Sequence, residues 1–155
     1  MRMSDFVVQE AIIPNVAAKD KEAVVREMVE SLKATGYLKG DDPEDVFKAV
    51  MKREALGSTG IGRGVAIPHT KHTCVNRLLG TVAISSGGVD FDSLDGDPVH
   101  VFVLLISPHD RSTDHLRALE NVSRTLRDEM FVASLREAQA KDDIWALLND
   151  VDHSG

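Results

Sequence analysis

The sequence predicts an α/β fold of three layers, in which a mixed, mostly parallel β-sheet lies between helices. Two β-rich runs, 78–85 and 99–106, stand in the middle of the 155 residues, and stretches with helical periodicity precede and follow them. The second run is apolar at almost every position, as in a strand buried on both faces. The length and the 43% hydrophobic composition fit one domain over residues 1–155, with its core from about 11 to 150.

The chain opens with a predicted short strand and a first helix. Residues 11–13 form an apolar run that Pro14 ends, because proline cannot donate to a strand ladder. Between residues 19 and 34, apolar residues share one helical face and charged residues lie opposite. The inward residues of this helix are Val24, Val25, Met28, Val29 and Leu32, and Gly36 and Gly40 mark its end.

A second helix is predicted from Asp42 and Pro43 to about Leu56. Asp42 is a capping residue, and Pro43 would occupy the first helical position, where the missing N–H costs nothing. This helix turns Val46, Phe47, Val50 and Met51 inward. Turn residues 87–88 and 95–97 separate the two central strands.

Three helical stretches are predicted after the second central strand. In the first, apolar residues recur at helical spacing, which predicts a stripe facing the core: Leu116, Leu119, Val122 and Leu126. A short helix follows around residues 131–135, and a last one, after two aspartates, includes residues 144–148.

Composition narrows the classes of function. The net charge of −7 argues against a nucleic-acid surface, which needs an excess of clustered Lys and Arg. Cys74 is the only cysteine, so no intramolecular disulfide is possible. A membrane-spanning helix needs roughly 20 apolar residues, whereas the longest apolar run, 99–106, is far shorter and is interrupted by His100. We therefore expect a soluble, cytoplasmic protein that meets protein partners, without nucleic acid or membrane insertion.

The glycine-rich segment 57–64 fails both common nucleotide motifs. A P-loop needs Lys and Ser/Thr after its last glycine, where this chain has Arg63 and Gly64. The dinucleotide motif needs a third glycine, where this chain has Val65. We expect no nucleotide and no other cofactor.

His69 follows this segment and fits a nucleophile for phosphoryl transfer. Neutral imidazole has one nucleophilic nitrogen, and a hydrogen bond to the other nitrogen determines which one it is. A phosphoryl acceptor also needs donors for the charged oxygens and an open loop, and glycines permit close backbone approach. From the residues alone, a structural or merely exposed histidine is the commoner interpretation.

The residues around His69 permit a metal site or a cysteine nucleophile as well. Five residues are of types that bind metal ions, although they lack the regular spacing of structural zinc sites. They are His69, His72, Cys74, His109 and His115. Cys74 with His69 would be a nucleophile pair, although a single cysteine is more often a small buried hydrophobe. We expect neither, and no metal site.

The segment 53–69, REALGSTGIGRGVAIPH, closely resembles the signature of the fructose/mannitol-type (type 2) IIA family of the bacterial phosphotransferase system. The similarity extends from about residue 11 to residue 150. It implies that His69 accepts phosphate from phospho-HPr on the ring nitrogen distal to the backbone. It also implies that Arg53 and His115, which opens a later His-Leu segment, stabilise or position the phosphoryl group. Ser58 and Thr59 are secondary candidates for phosphoryl contacts through their hydroxyl groups.

The resemblance leaves two roles open. A sugar-transport IIA component passes the phosphoryl group to a IIB domain, whereas a regulatory, nitrogen-related IIA protein controls target proteins through its phosphorylation state. The segment 56–62, LGSTGIG, is closer to the regulatory branch, and we expect the chain to stand alone, without fused IIB or membrane segments. We therefore expect a regulatory phosphocarrier, with sugar uptake as the alternative. A binding module that is never phosphorylated is the alternative of another class.

Overall fold

The computed structural model describes residues 2–38 and 43–154, with side chains up to residue 151. Gly40, predicted to mark the end of the first helix, and Asp42, predicted to cap the second, lie outside the described residues. Six helices are present in this part of the chain: α1 (Met3–Phe6), α2 (Lys21–Ala34), α3 (Pro43–Ala55), α4 (Ser112–Thr125), α5 (Glu129–Glu137) and α6 (Lys141–Ser154). None of the described helices is both long and apolar enough to cross a membrane.

The sheet contains five strands: β1 (Gly60–Gly62), β2 (Val65–Ala66), β3 (His69–Lys71), β4 (Leu79–Val89) and β5 (Val99–Ser107). β5 is central, with β4 antiparallel on one edge and β2 and β3 parallel on the other. β1 pairs antiparallel with β2. The predicted mixed sheet is confirmed, but it is not mostly parallel, because two of its strand pairings are parallel and two, including the longest, are antiparallel.

β2 and β3 follow each other along the same edge of β5 and are interrupted by a break in the pairing just before His69. Val65 pairs with Val101 and His69 pairs with Leu105, so the register along β5 is the same on both sides of the break. Within the break, the Ile67 N–H donates to the Thr59 carbonyl instead of to β5. Pro68 has no N–H, but its carbonyl still accepts from Leu105. The break therefore attaches the glycine-rich loop to the strand that carries His69.

Two apolar cores cover the two faces of the sheet, as the three-layer prediction requires. One core lies between the sheet and α2 and α3, and the other between the sheet and α4, α5 and α6. β5 contributes to both, because its side chains alternate between the faces: Phe102, Leu104 and Ile106 to the first core and Val101, Val103 and Leu105 to the second.

Three details differ from the sequence predictions. Residues 87–88, predicted as a turn, lie within β4, where its pairing with β5 is irregular between Ile84 and Val89. The strand expected at 11–13 is reduced to one bridge, Ile13 to Ala83, because residues 9–11 form a 3₁₀ turn and Pro14 ends the pairing. In α4, Leu116 is 66% exposed. The other three residues of the predicted stripe, Leu119, Val122 and Leu126, pack against the core, and His115 and Ala118 are buried beside them, so only Leu116 was misplaced.

Candidate functional site

His69 begins β3, directly after the break in the strand. Its Nδ1 lies 2.7 Å from the Ile67 carbonyl oxygen, which can only accept, so Nδ1 carries the proton. The lone pair then resides on Nε2, the ring nitrogen distal to the backbone. The ring is half-buried. Burial lowers the pKa of His69 below its usual 6.5, and the charge of Arg53 lowers it further, against the Ile67 hydrogen bond and Glu54. His69 is therefore a neutral imidazole with a defined nucleophilic atom.

His115 lies beside His69, on the first turns of α4. The centroids of the two rings are 5.4 Å apart, and the ring planes are tilted by 56°. The Nδ1 of His115 is 2.5 Å from the hydroxyl oxygen of Ser107, at the end of β5. Burial lowers the pKa of His115 to about 4, with smaller contributions from the interaction with the neighbouring His69 ring and from the charge of Lys71. Both rings are thus kept neutral at physiological pH.

Arg53 lies in the last turn of α3, next to the glycine-rich loop. Its Nη1 donates to the carbonyl oxygen of Gly57 at 2.9 Å. The remaining donors of the guanidinium group are available to an anion, and its charge already acts on His69. The structure therefore brings Arg53, His69 and His115 together, although they come from a helix end, a strand start and a helix start.

Glu54 supports this arrangement and was not predicted from the sequence. Its carboxylate is buried, pairs with the Lys21 ammonium at 2.8 Å and accepts from the N–H and the hydroxyl of Thr59. It thus connects the start of α2, the end of α3 and the glycine-rich loop. A signal was present: Glu54 continues the spacing of four residues of the buried Val46 and Val50, so it had to point inward.

The two secondary candidates have their hydroxyls engaged elsewhere. Ser58 donates to the Phe91 carbonyl at 2.7 Å and accepts from the Gly60 N–H. The Thr59 hydroxyl donates to Glu54. A hydroxyl has one proton to donate, so in this structure Ser58 and Thr59 shape the loop and direct no donor at His69.

Lys71 is a cation near the two rings that the sequence reasoning missed. Its Nζ lies 2.9 Å from the Ser112 hydroxyl at the start of α4, and its charge acts on His115. In the parallel register, Lys71 is paired with Ser107, the partner of His115. Its spacing of two residues from His69 on a strand was the available signal, because such residues share a face.

The conceivable metal set is not assembled. His72 donates from Nε2 to Asp45 at 2.6 Å, and its Nδ1 accepts from the N–H of Cys74. Both ring nitrogens are therefore occupied within the protein. Within residues 2–38 and 43–154, no three His, Cys, Asp or Glu side chains are grouped to hold a metal ion.

Comparison with known proteins decides the family. The family model described as "Phosphoenolpyruvate-dependent sugar phosphotransferase system, EIIA 2" matches residues 5–151. The chain belongs to this EIIA 2 family. Membership makes the chain a phosphoryl-transfer component of the phosphotransferase system, and it confirms the resemblance inferred from residues 53–69.

Relatives of this EIIA 2 domain include regulatory and sugar-specific proteins. A nitrogen regulatory protein of Bradyrhizobium diazoefficiens is 34% identical over 148 residues, which cover 96% of this chain and 95% of that protein. A fructose-specific EIIABC component of Bacillus subtilis is 35% identical over 152 residues, which cover 98% of this chain but 24% of that protein. The crystal structure of the nitrogen regulatory protein IIA-Ntr from Neisseria meningitidis superimposes with a TM-score of 0.86 at 27% identity, covering 94% of this chain and 98% of that one.

Proposed function

We propose that this EIIA 2 domain is a regulatory phosphocarrier that accepts a phosphoryl group on Nε2 of His69 from a phospho-HPr-type donor protein. The observation that carries the proposal is the 2.7 Å hydrogen bond between His69 Nδ1 and the Ile67 carbonyl. It fixes the tautomer in which Nε2 is the nucleophile. The lowered pKa of His69 keeps this nucleophile unprotonated.

The transfer exchanges one N–P bond for another. The Nε2 lone pair of His69 attacks the phosphorus atom, and the bond from phosphorus to the donor's histidine breaks with its electron pair, which restores a neutral imidazole on the donor. The proton on His69 Nδ1 remains there, held by Ile67. Catalysis of such a step consists mainly of positioning and of stabilising the charge on the phosphoryl oxygens.

Two groups are placed to stabilise that charge. The guanidinium group of Arg53 offers charge-assisted hydrogen bonds to phosphoryl oxygens. His115 is neutral, and when the Ser107 hydroxyl donates to its Nδ1, the proton lies on Nε2, which becomes a neutral donor. We assign His69 as the nucleophile and Arg53 and His115 as donors. Ser58 and Thr59 hold the loop in place.

The regulatory role is favoured over sugar uptake by the segment 56–62, LGSTGIG, which is closer to the regulatory branch. The nitrogen regulatory relative, at 34% identity, and the nitrogen regulatory structure, with a TM-score of 0.86, support it. The fructose-specific relative supports the alternative, in which the group moves on to a IIB domain. Phosphorylation adds about −1.5 to −2 charges at His69. In a regulatory protein, this change determines which partner docks.

Intact-mass spectrometry tests the carrier function. The protein is incubated with enzyme I, HPr and phosphoenolpyruvate, and the native chain is compared with His69→Ala and with the matched control His100→Gln. His100 is also half-buried and also has Nδ1 bonded to a carbonyl. We expect one acid-labile phosphoryl group on the native chain and the control, and none on His69→Ala. Absence of transfer to the native chain from a cognate donor would leave the unphosphorylated binding module as the better account.

A second incubation separates the two carrier roles. The phosphorylated chain is isolated and mixed with the IIB domain of a fructose-type system from the same organism. We expect the phosphoryl group to stay on His69 on the timescale in which it is gained from HPr. Rapid transfer to the IIB domain would instead assign the chain to sugar uptake.

A further inference from the structure

The role of His115 depends on the direction of its hydrogen bond with Ser107. The hydroxyl oxygen of Ser107 lies 2.5 Å from Nδ1 of His115. If the hydroxyl donates, the proton of the neutral ring lies on Nε2, which can then donate to an anion. If Nδ1 donates instead, Nε2 carries a lone pair, which an anion repels. The same two side chains therefore permit opposite roles for His115.

The backbone places Ser107 on the same face of the sheet as His69. Ser107 is the last residue of β5 and is paired with Lys71 of β3 in the parallel register. Since His69 is two residues before Lys71 on the same strand, the side chains of all three lie on one face. α4 packs on this face and brings the ring of His115 to a centroid distance of 5.4 Å from the ring of His69. Ser107 thus contacts His115 from the sheet, and His115 contacts His69.

Burial distinguishes the two directions of this hydrogen bond. Ser107 is fully buried, and in the part of the chain that the structure describes its hydroxyl has no hydrogen-bond partner besides His115. If Nδ1 were the donor, the hydroxyl proton would be buried without an acceptor, which costs free energy. If the hydroxyl donates, its proton and the lone pair of Nδ1 are both used. The short distance agrees, because O–H donors form shorter hydrogen bonds than N–H donors.

A donor on His115 suits the product of the transfer. A phosphoryl group on His69 adds about −1.5 to −2 charges, and its oxygens accept hydrogen bonds. The pKa of His115, about 4, keeps the ring neutral, so the ring has a single proton to offer. Ser107 determines whether this proton is available to the phosphoryl oxygens.

We propose that Ser107 is a positioning residue for phosphoryl transfer, because its hydroxyl donates to Nδ1 of His115 and keeps the proton of that ring on Nε2. The proposal rests on the carrier function proposed above and adds the residue on which the role of His115 depends. The two neighbouring rings then hold opposite tautomers. The Ile67 carbonyl keeps the proton of His69 on Nδ1, whereas the Ser107 hydroxyl leaves Nδ1 of His115 unprotonated. A lone pair for the phosphorus atom and a donor for its oxygens are thus adjacent.

Histidine side-chain NMR of the unphosphorylated chain at neutral pH tests the tautomers directly. Two-bond ¹H–¹⁵N correlations identify the protonated nitrogen of each ring, and loss of a signal in His115→Ala assigns the ring. We expect the proton of His115 on Nε2 and that of His69 on Nδ1, in the same spectrum. In Ser107→Ala, the ¹⁵N signal of His115 Nδ1 should shift, because its lone pair loses the hydrogen bond, while the His69 signals stay in place.

Single-turnover transfer from saturating phospho-HPr tests the consequence for the reaction. We expect Ser107→Ala to slow transfer about five- to tenfold, the usual net contribution of one hydrogen bond. The matched control is Thr81→Val, since Thr81 is also a fully buried strand residue, but its hydroxyl has no partner among the described residues. This control should leave the rate unchanged. In a His115→Ala background, Ser107→Ala should cause no further loss, because Ser107 acts through His115.

Three outcomes would overturn the proposal. A proton on Nδ1 of His115 in the native chain would do so, as would equal rates for Ser107→Ala and Thr81→Val. An equal loss from Ser107→Ala with and without His115 would show that Ser107 acts by another route. The spectra need no phosphate, so they decide the direction of the bond even if the native chain accepts none, which would count against the carrier function itself.

Discussion

Two ends of the same sheet each hold a half-buried histidine whose Nδ1 is bonded to a backbone carbonyl. His69 bonds Ile67 at 2.7 Å, and His100 bonds Ser85 at 2.9 Å. His69 is paired with Leu105, which is five residues from His100 along β5, or about 16 Å. Judged by this hydrogen bond alone, the two rings are equivalent, because each holds its proton on Nδ1 against a carbonyl oxygen.

The surroundings of the two rings differ. Next to His100, a Cβ atom on Gly88 would lie only 3.0 Å from the ring, so backbone packs closely against it. Next to His69 are the ring of His115 and the charge of Arg53. The difference teaches that a carbonyl bond of this kind does not distinguish the two rings, whereas a neighbouring cation and a second imidazole ring are found only beside His69 among these two.

Among the substitutions proposed here, removal of the Arg53 guanidinium should reduce the rate of phosphoryl transfer to His69 the most. We expect Arg53→Met to slow single-turnover transfer to His69 by about 10²–10³-fold, the usual cost of losing one preorganised donor to a charged transition state. Arg53→Lys should recover part of the rate, because the charge returns without the planar pair of donors. His100→Gln should leave the rate unchanged. An unaltered rate in Arg53→Met would show that His69 and His100 differ for another reason.

The next largest effect should be on stability, and it should come from the ion pair between Lys21 and Glu54 beneath the glycine-rich loop. We expect Lys21→Met to lower the free energy of unfolding by about 3–5 kcal/mol, since it leaves the Glu54 carboxylate buried without its cation. Urea unfolding measures the change, and Lys48→Met, at an exposed position on α3, is the control. The double variant with Glu54→Leu should regain part of the loss. Additive losses in the double variant would contradict a coupled pair.

Low pH should reduce the free energy of unfolding, because folding lowers the pKa of His115. In the folded chain this pKa is about 4, whereas an unfolded histidine titrates near 6.5. Between these values the unfolded chain binds a proton that the folded chain does not, so stability should fall as the pH is lowered from 6.5 to 4. His115→Gln should reduce the slope of the free energy of unfolding against pH. A slope equal to that of the native chain would place the cause elsewhere.

The sequence predicted those parts of the fold that depend on local patterns. The apolar run of β5 and the helical periodicities of α2 and α3 determined the layers, because a buried strand and an amphipathic helix each leave a signature. The short strands β1–β3 were missed, since two or three residues between glycines carry no periodicity. Leu116 was placed inward because a leucine fits a stripe, and His115, which is buried instead, does not look apolar.

The sequence predicted the residues of the site by resemblance and missed their supports. Arg53, His69 and His115 follow from motifs, and the structure places them together. Glu54, Ser107 and Lys71 act through contacts across the fold, such as the parallel register that sets Lys71 against Ser107. Such pairings depend on which strands become neighbours, and irregular spacing left the strand order undetermined.

Substitution of Lys71 should have the smallest effect, and it tests a single electrostatic contact. Its ammonium group lies 2.9 Å from the Ser112 hydroxyl and contributes to the lowered pKa of His115, although less than burial does. We therefore expect Lys71→Met to raise the pKa of His115 and Lys71→Arg, which keeps the positive charge, to leave it lowered. Histidine side-chain NMR titration follows both rings in one sample, with His100 as an internal reference that should not move. A shift at His100 would indicate that the substitution disturbs the sheet as a whole, whereas a shift confined to His115 would locate the effect in the electrostatics of the His69 end.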